Sequence, residues 1–128
     1  MFWKSDILAT IFNNKAFIYN AQKSFDMAIS YLEKSIRIYM ILKKYDKSNL
    51  QSLSSTYLNL GIAYLETENF KLALDYFIKS ADLKLENNFS GIALVYLNIA
   101  KTFVKTENPL KAEEFYLKSI SGFNKEFG

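Results

Sequence analysis

Residues 60–81 read LGIAYLETENFKLALDYFIKSA, and the pattern of this stretch occurs three times along the chain. Residues 15–36 (KAFIYNAQKSFDMAISYLEKSI) and residues 99–120 (IAKTFVKTENPLKAEEFYLKSI) align with it without gaps. All three segments share a small residue, an aromatic residue three positions later, an Ala twelve positions after the small residue, and a closing Lys-Ser pair. Self-similarity of this kind is the signature of a repeat architecture.

The spacing inside each unit predicts two helices joined by a short turn. An aromatic residue also stands four positions before each small residue, which completes the apolar period of a helix. The small residues (Ala16, Gly61 and Ala100) favour the close approach of a second helix. In the polar breaks, Ser24, Asn69 and Asn108 are predicted N-caps, and Pro109 suits a first helical position. The predicted helices span about 4–21, 25–43, 47–66, 70–86, 90–106 and 110–126.

These positions resemble the tetratricopeptide repeat, which has an aromatic residue, Leu-Gly, Tyr, Ala, an aromatic residue or Leu, and a final small residue at these spacings. Repeat two matches best, through Tyr57, Leu60, Gly61, Tyr64, Ala73, Phe77 and Ser80. The resemblance covers about residues 8–123. The spacing between repeats, 45 and then 39 residues, exceeds the usual length of about 34. It is similar to the long-helix branch seen in kinesin light chain and in bacterial regulatory proteins.

The resemblance implies an all-α fold, an α-solenoid of three hairpins that form a right-handed superhelix. We expect a single domain over residues 1–128, with repeats at about 8–44, 53–88 and 92–127. In the long-helix branch the repeats usually form one part of a longer regulatory protein. We therefore leave open whether the chain is a fragment of such a signalling protein.

The composition points away from catalysis. The chain has no His and no Cys, which removes the commonest general base near neutral pH and all thiolate nucleophiles and metal ligands. Glu113 and Glu114 are adjacent in a predicted helix, so their carboxylates diverge. No glycine-rich phosphate loop and no metal-ligand spacing is present. We therefore predict that the protein is not an enzyme, with no catalytic residue, no cofactor and no metal.

Charge and hydropathy narrow the class of partner. The chain has 16 basic and 13 acidic residues, and Arg37 is the only Arg. The chain therefore has a single guanidinium group for bidentate hydrogen bonds to phosphates and bases. RNA reading by a helical repeat is the least favoured alternative, because Leu58 and Leu97 share a repeat position with Asn13 and cannot hydrogen-bond to base edges. The charge-free run 48–65 is too polar for a bilayer. We expect a cytoplasmic protein without membrane or nucleic-acid partners.

The resemblance assigns ligand binding to the concave wall formed by the first helix of each repeat. The implied groove residues are Asn13, Phe17, Asn20, Leu58, Asn59, Ile62, Leu65, Leu94, Leu97, Asn98, Lys101 and Lys105, and the projected groove positions also include Thr10, Ala21, Ser55, Glu66 and Val104. Lys101 and Lys105 are one helical turn apart and share a face. The expected partner is therefore a protein or peptide with apolar anchors and acidic groups near the third repeat. Asn14, Asn59 and Asn98 recur at one repeat position, where a structural bond to a neighbouring helix is favoured over a bond to a ligand.

The two ends of the chain suggest a different function, self-assembly. Terminal repeats of a solenoid normally carry a polar cap, whereas both terminal helices here are rich in apolar residues. The predicted oligomer interface comprises Trp3, Leu8, Phe115, Ile120, Phe123 and Phe127. The alternative function is a structural module that associates through these helices, most simply as a homodimer. Equally, these side chains can fold back onto their own repeats.

Overall fold

The structure, a computed structural model, describes the backbone of residues 2–42 and 47–127, and the side chains of residues 5–42 and 47–126. Six helices make up this part of the chain: α1 (Phe2–Ala21), α2 (Phe25–Leu42), α3 (Lys47–Glu66), α4 (Phe70–Asn87), α5 (Ile92–Lys105) and α6 (Pro109–Phe127). They confirm the predicted helices to within two residues. α5 begins later than predicted because Asn88 and Gly91 take left-handed backbone conformations (φ 56° and 93°) between α4 and α5.

Every hairpin turns through the same backbone motif. In the second repeat, the N–H of Asn69 donates to the carbonyl of Tyr64 (2.8 Å) and the N–H of Glu68 to that of Leu65 (3.1 Å), the pair of bonds that defines a Schellman motif. The left-handed residues of the three turns are Lys23 (φ 61°), Glu68 (63°) and Glu107 (59°). The helix preceding each turn is thus closed by the backbone itself.

The side-chain caps were predicted less well than the turns. Asn69 makes no side-chain capping bond at the start of α4, so that prediction is wrong. Asn108 does cap α6, since its Oδ1 accepts from the N–H of Lys111 at 3.4 Å. Pro109 is the first residue of α6, as predicted.

The Ser of the closing Lys-Ser pair ties the second helix of each repeat to the first. Ser80 Oγ donates to the carbonyl of Ser54 at 2.8 Å, and both residues are fully buried. Equivalent bonds join Ser35 to the carbonyl of Ala9 (2.9 Å) and Ser119 to that of Ala93 (2.8 Å). A buried hydroxyl on a helix satisfies its donor in this way and fixes the distance between the two axes.

The Lys of the pair covers a cluster of three aromatic rings. In repeat two, Tyr76 lies 5.8 Å from Tyr64 and 5.9 Å from Tyr57 between ring centroids, and Lys79 Nζ is 5.1 Å from the Tyr76 ring. The equivalent clusters are Phe12, Tyr19 and Tyr31 with Lys34, and Tyr96, Phe103 and Phe115 with Lys118. The recurrent aromatic residues therefore hold the two helices of each hairpin together.

The three hairpins stack in chain order, each helix against the next. The first helices also contact one another, α1 with α3 and α3 with α5, whereas in the described part of the chain α2, α4 and α6 do not. The row of first helices is therefore the shorter, inner side of a curved stack. This arrangement is the predicted all-α solenoid, with α1, α3 and α5 on its concave face.

The core runs without a break from one repeat to the next. Phe77 of α4 and Val95 of α5 are fully buried in one cluster with Leu58 of α3. Leu32 of α2 and Leu60 of α3 form the equivalent cluster between repeats one and two. Burial of each such side chain contributes about 1.5–3 kcal/mol, so the junctions between repeats carry much of the stability of the fold.

Polar contacts also cross between repeats. The hydroxyl of Tyr64 donates to Glu33 at 3.4 Å, and burial, together with the charge of Glu33, raises the pKa of Tyr64. Lys84 is nearly buried, and its Nζ donates to the carbonyl of Ser90 at 3.1 Å. Burial lowers the pKa of Lys84, and nearby Glu126 opposes that shift. These bonds fix the hairpins relative to one another.

Candidate functional site

The concave face offers an accessible apolar surface. Phe17 on α1 is 71% exposed, and Leu94 and Val104 on α5 are each about half exposed. Ile62 and Leu65 on α3 lie between them and are partly buried. Large apolar side chains that form a continuous exposed surface mark interaction sites more often than isolated ones do.

Two predicted groove residues are buried rather than displayed. Leu58 packs in the core between α3, α4 and α5, and its exposed fraction is only 8%. Asn98 is buried as well, and its Nδ2 donates to the carbonyl of Leu94 on its own helix at 3.0 Å. That bond agrees with a structural role for Asn98, although the partner lies on the same helix and not on a neighbour. Asn59 and Leu97 remain partly buried.

Asn13 and Asn20, the polar groove residues of α1, have different surroundings. Asn13 Nδ2 donates to Thr56 Oγ1 on α3 at 2.9 Å and lies 3.4 Å from the hydroxyl of Tyr39 on α2. It therefore fixes α1 against the second repeat. Asn20 Oδ1 is shielded from solvent and accepts no hydrogen bond within the described part of the chain.

A cleft between the second and third repeats brings together five of the predicted groove residues, Leu65, Glu66, Lys101, Val104 and Lys105. It has a volume of about 270 Å³ and is lined by Leu65, Glu66, Glu68, Phe70, Lys101, Val104, Lys105 and Tyr116. The end of α3, the turn after it and the first residue of α4 supply one part of the lining, and the end of α5 with Tyr116 of α6 supplies the rest. Leu65 and Val104 make the centre of the cleft apolar.

The two walls of the cleft carry opposite charges. Lys101 and Lys105 stand one turn apart on α5, and Glu66 and Glu68 stand at the end of α3. All four side chains are exposed. The one ion pair within the described residues joins Lys118 to Glu114 on α6, so these four charges remain available to a ligand. The cleft therefore has an apolar centre with basic side chains on one side and acidic side chains on the other.

Phe70, Glu68 and Tyr116 belong to the cleft but were not among the predicted site residues. Glu68 lies in the turn after α3 and Phe70 is the first residue of α4, and a projection along the first helices includes neither position. Tyr116 occupies the repeat position of Phe77 and Leu32, both fully buried. It is only partly buried itself, because within this chain no further hairpin packs on α6.

Within the described ranges, no group of three or more Asp, Glu, His or Cys residues is placed to hold a metal ion. None of the helices found there is long and apolar enough to cross a bilayer.

The sequence matches a known family model. A model described as Tetratricopeptide repeat matches residues 7–86 and again residues 52–125. The chain belongs to the tetratricopeptide repeat family. No curated protein matches the chain.

Solved structures share the tetratricopeptide repeat fold of this chain. The TPR domain of Arabidopsis FLU superposes with a TM-score of 0.85 at 16% identity, covering 94% of this chain and 98% of that one. BtubC (BKLC) from P. vanneervenii superposes with a TM-score of 0.80 at 19% identity, covering 94% of this chain and 48% of that one. The N-terminal domain of stress-induced protein-1 (STI-1) from C. elegans superposes with a TM-score of 0.74 at 21% identity, covering 93% of this chain and 87% of that one.

Proposed function

We propose that the chain is a non-enzymatic scaffold that binds a protein or peptide segment on its concave face, anchored in the cleft between repeats two and three. The observation that carries the proposal is the convergence of Leu65, Val104, Lys101 and Lys105 on that one cleft. A protein-binding role is typical of the tetratricopeptide repeat family.

The cleft also defines the chemistry of the ligand. Its centre suits one aliphatic or aromatic side chain, which apolar burial retains. Lys101 and Lys105 suit an acidic residue on one side of that anchor, while Glu66 and Glu68 suit a basic residue or backbone N–H groups on the other. Charges at such a rim govern orientation and association rate more than affinity.

Selection from a peptide-display library on the folded 128-residue chain tests the proposal. We expect the enriched peptides to share an apolar anchor flanked by an acidic residue and a basic residue. Val104→Asp, which places a charge in the apolar centre, is expected to weaken their binding by about tenfold or more. Replacing Lys101 and Lys105 together by Ala is expected to slow association and to reduce its dependence on salt.

Ile41→Asp is the matched control, because Ile41 on α2 is 63% exposed and does not line the cleft. Its binding is expected to equal that of the native chain. Glu66→Lys combined with Glu68→Lys is expected to remove basic residues from the selected peptides. Peptides that bind Val104→Asp as tightly as the native chain would place the binding site elsewhere.

A further inference from the structure

The chain contains two internal junctions at which the second helix of one repeat packs on the first helix of the next. At the junction of α4 with α5, Phe77 and Ala81 lie in one core cluster with Val95 and Ile99. All four are buried. Thr102, one turn further along α5, is buried as well.

Each end helix is equivalent to one side of this junction: α6 corresponds to α4, and α1 corresponds to α5. In α6, Tyr116 and Ile120 occupy the repeat positions of Phe77 and Ala81. In α1, Ile11 and Ile18 occupy the positions of Val95 and Thr102. Ile120 is 58% exposed, Ile18 54% and Ile11 44%, so positions that are buried inside the stack display large apolar side chains at both of its ends.

Each end face also carries one charge where the internal junctions have apolar residues. Lys15 on α1 stands at the repeat position of Ile99 and Leu60, and Glu113 on α6 stands at that of Leu74 and Ile29. Inside the stack these positions share the same clusters, because Leu74 packs on the cluster that contains Ile99, and Ile29 packs on the cluster that contains Leu60. An α6 helix packed on an α1 helix in the same way would therefore bring Glu113 into the same junction as Lys15, whose Nζ lies 5.3 Å from the Tyr31 ring within its own repeat.

We propose that α6 of one copy of the chain packs on α1 of a second copy, reproducing the junction between repeats and continuing the solenoid from head to tail. The apolar positions supply the contact, and the Glu113–Lys15 pair supplies the complementary charge. Such a contact joins two different surfaces, so it leaves one α1 face and one α6 face free and propagates to longer assemblies. Of the residues that line the cleft, the contact shares only Tyr116, and it does not involve Val104, Lys101 or Lys105.

Sedimentation velocity from micromolar to hundreds of micromolar concentration tests this head-to-tail contact with two single-face variants. The native chain is expected to grow beyond a dimer as its concentration rises. Ile120→Lys and Ile11→Lys are each expected to remain monomeric, because each lacks one half of the contact. Their equimolar mixture is expected to form a dimer and no larger species, since one variant retains the α1 face and the other retains the α6 face.

Phe17→Lys is the matched control, since Phe17 is exposed on another side of α1, and it is expected to assemble like the native chain. Circular dichroism verifies that every variant is folded. A native chain that stays monomeric throughout would overturn the proposal, as would a mixture that stays monomeric. An Ile11→Lys variant that still forms a dimer would indicate a symmetric α6 contact and would also overturn it.

A charge exchange tests the register of the contact. Lys15→Glu and Glu113→Lys each place like charges together and are expected to weaken association by about tenfold or more. The two changes in one chain restore an opposite pair and are expected to return association to the native range. A double variant that associates as weakly as the single ones would contradict the proposed register.

Discussion

At the scale of single residues, packing between the two helices of a repeat explains why repeats one and two use different small residues. A Cβ atom on Gly61 would lie 2.5 Å from the ring of Phe77, so α3 and α4 pack at a distance that only glycine allows. In repeat one the equivalent pair is Ala16 and Leu32, both fully buried in one cluster. In these two repeats, a larger residue on the second helix therefore requires a smaller residue on the first helix.

Gly61→Ala should consequently change the sign of its effect with the residue at position 77. In the native background the crowded ring is expected to cost about 1–3 kcal/mol, which outweighs a gain in helix propensity of about 1 kcal/mol. In the Phe77→Leu background, which reproduces the pair of repeat one, Gly61→Ala is expected to be stabilising. Urea unfolding of the four proteins measures both effects, and a cost that is equal in the two backgrounds would refute the explanation.

At the scale of helices and turns, the hairpins depend on backbone conformations that the residues present do not favour. Lys23, Glu68 and Glu107 all take positive φ values, which cost an L-residue other than glycine about 1–2 kcal/mol. The Schellman bonds between backbone groups hold them there. The turns therefore store strain that a glycine would remove.

Glu107→Gly is expected to stabilise the chain by about 0.5–1 kcal/mol. The gain is smaller than the strain removed because glycine also makes the unfolded chain more flexible. Glu107→Ala is the matched control, since it removes the same carboxylate without relieving the backbone, and it is expected to give no gain. Thermal unfolding measures both, and an equal change in the two variants would mean that the effect comes from the charge.

The repeat pattern was sufficient to predict the helices but not the details of their ends. Apolar periodicity determines which faces meet, so the helices and their approximate boundaries followed from the aligned positions, whereas the ring clusters were not predicted. Phe115 was assigned to an oligomer interface although its repeat position is that of Tyr76, and it packs on Tyr96 and Phe103 within its own hairpin. A comparison of equivalent positions would have identified Phe115 as a residue of the ring cluster.

The candidate site was predicted less completely, for a geometric reason. Leu65, Lys101 and Lys105 do line one cleft, but the cleft also depends on Glu68, from the turn after α3, and on Phe70, the first residue of α4. Which turn residues reach a groove depends on the curvature of the stack, and no local pattern encodes that curvature. Leu58 shares a helix with Leu65 yet packs in the core. The predicted interface residues Trp3 and Phe127 have side chains outside the described residues, whereas Leu8, Ile120 and Phe123 are exposed.

At the scale of the whole molecule, the solenoid separates two kinds of surface. The concave face is built from α1, α3 and α5 and carries the cleft, while the ends of the stack carry unpaired halves of the junction between repeats. Because contacts in a solenoid are local, a ligand in the cleft and a second copy at an end contact different residues, apart from Tyr116, which lines the cleft and also lies on the α6 face. Variants of one surface are therefore expected to leave the other intact.

The position of a bound peptide on the folded chain tests the central claim most directly. Amide chemical shifts of the isotopically labelled chain are recorded as a peptide selected by display is added. We predict that the largest changes fall at the end of α3 and the following turn, residues 65–70, and at the end of α5, residues 101–105, with little change along the exposed side of α2. Changes concentrated on α2 and α4, with residues 65–70 and 101–105 unaffected, would contradict a concave binding site.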